Sequence, residues 1–251
     1  MRLLAIADPH LSSVSPKPMD IFGGNWRGHP QIFFEQWRKT VLEDDVVIIA
    51  GDISWGLRLE DALPDLQDIA NLPGEKIILR GNHDYWWGSI GKVRAALPAR
   101  MHAIQNDSLV IGRTAILGSR GWTSPGSDDF GAEDEKIYQR ELERLRLGVK
   151  SLEGKVYDRL VLALHFPPTN GMFEANGFTK VIEELQPDAV VYGHLHGVSP
   201  TRVLREWRGV PLHFVAADAV NFVPQVILET LCREGEASLT PTAGENYRFM
   251  M

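Results

Sequence analysis

The 251-residue chain carries 26 Lys and Arg against 33 Asp and Glu, a formal net charge of −7 and a pI near 5.6. Such acidity offers no general attraction to nucleic-acid backbones or anionic membranes, which disfavours a nuclease and favours small or protein-borne substrates. Cys232 is the only cysteine; this excludes an intrachain disulfide, suits a reducing compartment, and leaves Cys232 itself as a small buried hydrophobe.

In chain order, the apolar run Leu3–Ala7 predicts a strand, too short to be the core of a signal peptide. The stretch 12–29 is a long loop of the kind that forms lids or binding segments. Helical spacing over Gln31–Leu42, a strand at Val46–Ala50, a helix over Leu59–Ala70, a strand at Lys76–Leu79 and a helix over Ile90–Leu97 follow. Three short strands are then predicted, His102–Ile104, Ser108–Ile111 and Thr114–Leu117, with turns at Asn106-Asp107 and Gly112-Arg113. A second long loop, 119–131, leads to the charged amphipathic helix Glu133–Gly148, the strand Leu160–Leu164, the helix Phe178–Leu185 and the strand Ala189–Tyr192. Short strands return at Val203–Trp207, Leu212–Ala216 and Gln225–Glu229, and the tail from about residue 233 is expected to be loosely ordered.

Strands alternating with helices imply α/β, and two groups of short strands imply two sheets. No apolar run approaches the roughly 20 residues of a membrane-spanning helix, and a cytoplasmic enzyme is expected. The polar motifs described next are spread from Asp8 to His196, so a site assembled from them argues for one cooperative domain over residues 1–251.

Five of these motifs each end an apolar run: Asp8-Pro9-His10, Gly51-Asp52, Gly81-Asn82-His83-Asp84, His165 and Gly193-His194-Leu195-His196. Side chains placed there stand at the carboxyl edge of a sheet, where open α/β folds build their sites. Asp8 and His10, two apart on extended chain, point the same way and reach one ion. Singly, Asp52 reads as a cap, Asn82 as a turn residue and His165 as a core histidine; together they read as ligands. The imidazole, carboxylate and amide donors suit Mn²⁺, Fe²⁺ or Fe³⁺, Zn²⁺ or Co²⁺, and the lack of thiolates disfavours structural zinc.

The chain resembles the calcineurin-like metallophosphoesterase superfamily, whose pattern reads DxH, GDxx, GNH followed by Asp or Glu, a lone His, then GHxH. The resemblance implies an α+β, four-layer αββα sandwich of two mixed sheets flanked by helices. It also implies two metal ions: Asp8, His10 and His196 on the first, Asn82, His165 and His194 on the second, and Asp52 bridging. Such a pair lowers the pKa of a bound water, orients it for in-line attack at phosphorus and neutralises charge on the phosphoryl oxygens.

By the same resemblance His83 protonates the leaving oxygen or steadies the transition state, with Asp84 expected to orient its imidazole. Leu79-Arg80-Gly81-Asn82-His83-Asp84 is close to the LRGNHE of phosphoprotein phosphatases, whose arginine binds phosphate. Arg80 is thus either a substrate ligand or an ordinary strand-end surface residue. Gly51-Asp52-Ile53-Ser54-Trp55-Gly56 lacks the GDxxDRG of those phosphatases, which favours a small phosphodiester or nucleotide substrate over a phosphoprotein. Phosphomonoesterase or phosphoprotein phosphatase activity is the alternative, and a non-catalytic scaffold is disfavoured because every motif is in place. Trp55, Trp86, Trp87 and Trp122 pack in the core or stack a base, the former being favoured. His29, His102 and His213 are read as structural or surface residues.

Overall fold

In the computed structural model, which describes residues 1–14 and 16–229, strands of Val, Ile, Leu and Ala pair into two sheets. Strand β1 (Leu3–Ile6), β2 (Val46–Ile49), β3 (Glu75–Ile78) and β4 (Met101–Ala103) run parallel in the first. Its other edge is the antiparallel β11 (Gln225–Leu228), giving the order β11-β1-β2-β3-β4. The second sheet runs β5-β6-β7-β8-β10-β9. Here β6 (Thr114–Ser119), β7 (Arg159–Leu164), β8 (Ala189–Tyr192) and β10 (Val210–Phe214) are parallel. The edge strands β5 (Asp107–Ile111) and β9 (Glu206–Trp207) are antiparallel to their neighbours.

Successive side chains on a strand face opposite ways, and here both faces are covered. Leu3, Ala5, Ile48 and Ile77 meet Ile116, Val161, Ala163 and Val191 between the sheets. The alternate residues Leu4, Ile6, Val47 and Ile49 pack outward. They meet α1 (His29–Thr40), α2 (Leu59–Ala70) and α3 (Ile90–Ala96) through Phe33, Trp37, Leu66 and Val93. On the far side, Leu160, Leu162 and Leu164 pack on α4 (Ala132–Lys150) and α5 (Gly177–Leu185) through Tyr138, Leu145 and Phe178. The result is the four-layer αββα sandwich. Asn176 caps α5 by accepting from Phe178 N and Thr179 N at 2.8 and 3.2 Å, while its own N–H donates to Thr179 Oγ1 at 2.8 Å.

Among the described residues, the two sheets are stitched at Ala7. Ala7 N donates to Val215 O at 2.8 Å, and Ala7 O accepts from Ala217 N at 2.9 Å, joining the carboxyl end of β1 to that of β10.

Two expectations are corrected. Strand β4 does not join its sequence neighbours β5 and β6 but completes the first sheet beside β3. Residues 203–207 are not one strand: a 3₁₀ turn at Pro200–Arg202 precedes the two-residue β9. Residues 203–205 carry no strand, and the ladder with β10 starts at Glu206. Cys232 and the tail from 233 lie outside the described residues.

Candidate metal centre

Sharp backbone turns leave the carboxyl ends of β1, β2 and β8 and aim the polar motifs into one cleft. Asp8, His10, Asp52 and His194 all adopt positive φ, at 61°, 46°, 52° and 72°, a conformation that L-residues populate at a cost and that clusters at functional sites. The motif glycines permit close approach. A Cβ on Gly81 would collide with Asp52 Oδ1, and one on Gly193 would collide with Asp8 Oδ2.

Donor atoms of Asp8, His10, Asp52 and His196 lie within 4.8 Å of one another, and the first three residues are buried. His10 Nε2 faces His196 Nε2 at 3.1 Å and Asp52 Oδ2 at 3.7 Å. Beside this set lies another: Asn82 Oδ1 is 2.7 Å from His165 Nε2 and 3.0 Å from His194 Nδ1. Asp52 Oδ2 stands between them, 3.5 Å from His165 Nε2. Thus all seven residues predicted as ligands converge.

The donor set fits cations. Asp8 Oδ1 and Asp52 Oδ2 are buried with no hydrogen-bond partner among the described residues, an arrangement that is costly unless a positive charge faces them. Burial pushes the Asp8 carboxyl up to about 7. Burial pulls the His165 imidazole down, but Asp52 and Asp8 outweigh this and hold it up at about 9. Burial, then neighbouring His165, lowers His194 to about 3, leaving a neutral imidazole with a free lone pair. The other atoms of these side chains are fastened. His165 Nδ1 is 2.9 Å from Ala50 O, Asp8 Oδ2 accepts from His194 N at 2.9 Å, and Asp52 Oδ1 accepts from His83 N at 2.7 Å.

Asp84 does not orient His83 as expected. Its carboxylate is fully buried and accepts from Gly81 N, Asp52 N, Ile53 N, Ser54 N and Trp86 Nε1 at 2.8–3.2 Å, stapling the Asp52 turn to the Asn82 turn. His83 instead has Nδ1 at 3.3 Å from Tyr85 Oη. Its ring lies 4.7 Å from Trp55 and 5.9 Å from His10, at the border of the cluster. Burial lowers its pKa.

Arg80 lines a narrow crevice with Arg120, Glu141 and Arg144, and its Nε has no hydrogen-bond partner among the described residues. No hydrogen bond or ion pair joins its guanidinium to the Asp and His cluster among those residues, so its expected contact with phosphate rests on sequence position.

Three residues at the centre carried no motif. Asp218 accepts from Gly197 N at 2.8 Å and lies 3.2 Å from His196 Nδ1, leaving Nε2 to face the cluster. Trp26, from the long loop 12–28, is buried edge-on against His196 and His10 at 5.4 and 5.8 Å. His29 lies 3.1 Å from His10 O through Nε2 and 3.2 Å from Trp26 O through Nδ1, tying that loop to the site. Trp55 stacks on His10 at 4.9 Å and carries Lys17 Nζ over its ring at 3.3 Å. Trp86 and Trp87 are core residues.

The calcineurin-like phosphoesterase family model matches residues 1–198. The chain belongs to that family. Metal-dependent hydrolysis of phosphoesters is therefore its activity, and the buried Asp and His cluster is suited to holding the metal. No curated protein sequence matches it significantly. Among solved structures it is similar to the phosphopantetheinyl hydrolase of Mycobacterium tuberculosis, with a TM-score of 0.56 and 16% identity over 97% of this chain and 98% of that one. It is also similar to the TT1561 protein of Thermus thermophilus, with a TM-score of 0.55 and 11% identity over 87% and 90%. At such identities the likeness is one of fold. No helix among the described residues is long and apolar enough to cross a membrane.

Proposed function

We propose that this phosphoesterase is a dinuclear-metal enzyme of the cytoplasm, folded as a single domain, acting on a small phosphodiester or nucleotide. The observation that carries the reading is the position of Asp52 Oδ2, 3.7 Å from His10 Nε2 and 3.5 Å from His165 Nε2 with no hydrogen bond of its own among the described residues. A carboxylate oxygen shared by two donor sets is what two neighbouring cations need to offset their repulsion. In this reading Asp8, His10 and His196 hold one ion, Asn82, His165 and His194 the other, and Asp52 bridges; Mn, Fe, Zn and Co all suit the donors.

When bound, the two cations supply Lewis acidity, acidifying water and neutralising phosphoryl charge. The protein supplies the rest. Asp84 fixes the Asp52 and Asn82 turns, Asp218 fixes the His196 ring, and Trp26 covers the first donor set. In this reading His83, at the border, gives its proton to the leaving oxygen. The absent GDxxDRG sequence and the acidic surface support a small substrate over phosphoprotein or nucleic acid, and the lone cysteine supports a reducing compartment.

Metal analysis of the wild type and Asp52→Ala tests the bridge: two ions per chain are expected, with both sites weakened in the variant. Two ions at unchanged affinity in Asp52→Ala would overturn it. Rates of the metal-loaded enzyme on phosphomonoesters, linear diesters, cyclic nucleotides and phosphopeptides then rank the substrate classes. Preference for phosphopeptides would overturn the small-substrate reading.

A further inference from the structure

A pocket of about 400 Å³ opens beside His194, between the carboxyl ends of β6, β7 and β8. Its walls are Phe166, Phe173, Leu195, Val198, Val203 and Leu204. Polar side chains interrupt these walls, among them Thr123, Ser124, Ser127, Asp129, Thr169 and Arg202. This size and a mixture of apolar walls with polar groups able to orient a guest are those of a small-molecule site. It has room for roughly a dozen waters at about 30 Å³ each, whose release from apolar walls favours an apolar guest.

Two features tie this pocket to the chemistry. His194 belongs to both: its Nδ1 lies 3.0 Å from Asn82 Oδ1 in the cluster, and its ring lies against that of Phe166 at 3.9 Å in the pocket wall. A phosphoryl group at the cluster would therefore send one ester substituent directly into the cavity. The second feature is a built turn at the rim. Asn170 Oδ1 accepts from Met172 N and Glu174 N, both at 3.1 Å, and Asn170 Nδ2 donates to Pro125 O at 2.9 Å. That turn holds Phe173 at φ 58° and leaves Met172 and Phe173 77% and 42% exposed. A strained, hydrogen-bonded turn that displays two large apolar side chains beside a cavity is a feature that folding alone does not explain.

We propose that this pocket receives the organic group of a small phosphoester, a bulky and largely apolar substituent on the ester oxygen, with Phe173 as its outer wall. The proposal rests on the metal-centre reading above. It names the substrate class as apolar organic phosphates.

Binding of non-hydrolysable phosphonates to the metal-loaded protein, followed by calorimetry, tests this independently of turnover. Affinity is expected to rise about 10–100-fold from methylphosphonate to naphthylmethylphosphonate as apolar area is buried. In Phe173→Ser that gain should shrink about tenfold while methylphosphonate binding is unchanged; Phe173→Leu should restore it. Metal-dependent binding of equal strength for every size would overturn the pocket assignment and leave the metal-centre reading standing. A size gradient unaltered in Phe173→Ser would remove Phe173 from the wall and overturn the assignment as stated. No phosphonate binding at all, with two metals loaded, would overturn the placement of the phosphoryl group at the metal centre and the pocket's role with it.

Discussion

Asp84 and Asp52 clasp each other's turns: Asp84 Oδ2 accepts the N–H of Asp52 at 2.9 Å, and Asp52 Oδ1 accepts the N–H of His83, the residue before Asp84, at 2.7 Å. Burial and then neighbouring Asp52 push the Asp84 carboxyl up, to about 6, against the pull of its donors. Asp84→Asn turns an amide NH₂ toward groups that are all N–H donors. A loss of roughly 2–4 kcal/mol in stability is expected, together with weaker metal binding, measured by denaturant unfolding and metal titration. Unchanged metal affinity in a folded variant would show that the clasp does not position Asp52.

Asp218 bears on metal retention through His196. Asp218→Asn keeps the shape but weakens the hold on His196 Nδ1, and about a 10–100-fold loss in metal affinity is expected. The loss should fall on one of two ions. Equal weakening of both, read by stepwise chelator competition, would contradict the assignment of His196 to a single site.

For His83 the expected signature lies in the leaving group. His83→Ala should keep the metals and the fold while losing about 10²–10⁴-fold in rate on alkyl esters, whose leaving oxygen needs a proton. Nitrophenyl esters should lose far less. Equal losses on both would point to charge stabilisation, and loss of metal would make His83 structural.

Lys76 gives a pH-dependent prediction away from the site. Its side chain is buried, and its Nζ donates to Ala70 O at 3.0 Å and to Leu72 O at the end of α2. Burial, then Arg100, pulls its pKa from 10.5 to about 8. Between pH 8 and 10.5 the unfolded chain therefore binds more protons than the folded one, and stability rises with pH across that window. The rise is at most about 3 kcal/mol. Lys76→Met should lack this component, so its stability relative to wild type falls as pH increases; a pH-independent difference would refute the assignment.

Much of the candidate site was legible because its clustered polar residues end apolar strands: Asp8, Asp52, Asn82, His165 and His194 each follow a run of Val, Ile, Leu or Ala. The helix at 59–70 was legible for a similar reason, since its apolar face recurs at helical spacing. Asp218 was not legible. It follows a strand without any accompanying motif, and its partner Gly197 is brought to it by the pairing of β8 with β10, a contact between distant segments. Nor was the task of Asp84 visible, because sequence adjacency to His83 suggests a side-chain partner, whereas the turn directs the carboxylate backward onto four main-chain N–H groups. The membership of β4 was hidden likewise: only the turn between β4 and β5 decides whether a short strand pairs forward or back.

The seam at Ala7 bears on metal choice. Asp8 follows Ala7, whose backbone hydrogen-bonds the two sheets together, and Asp52 and His194 leave their strands on opposite sides of that seam. The span between the donor sets is thus a dimension of the main chain, set before any ion arrives. Imidazole nitrogens among the donors favour first-row transition ions over Ca²⁺, which takes oxygen ligands.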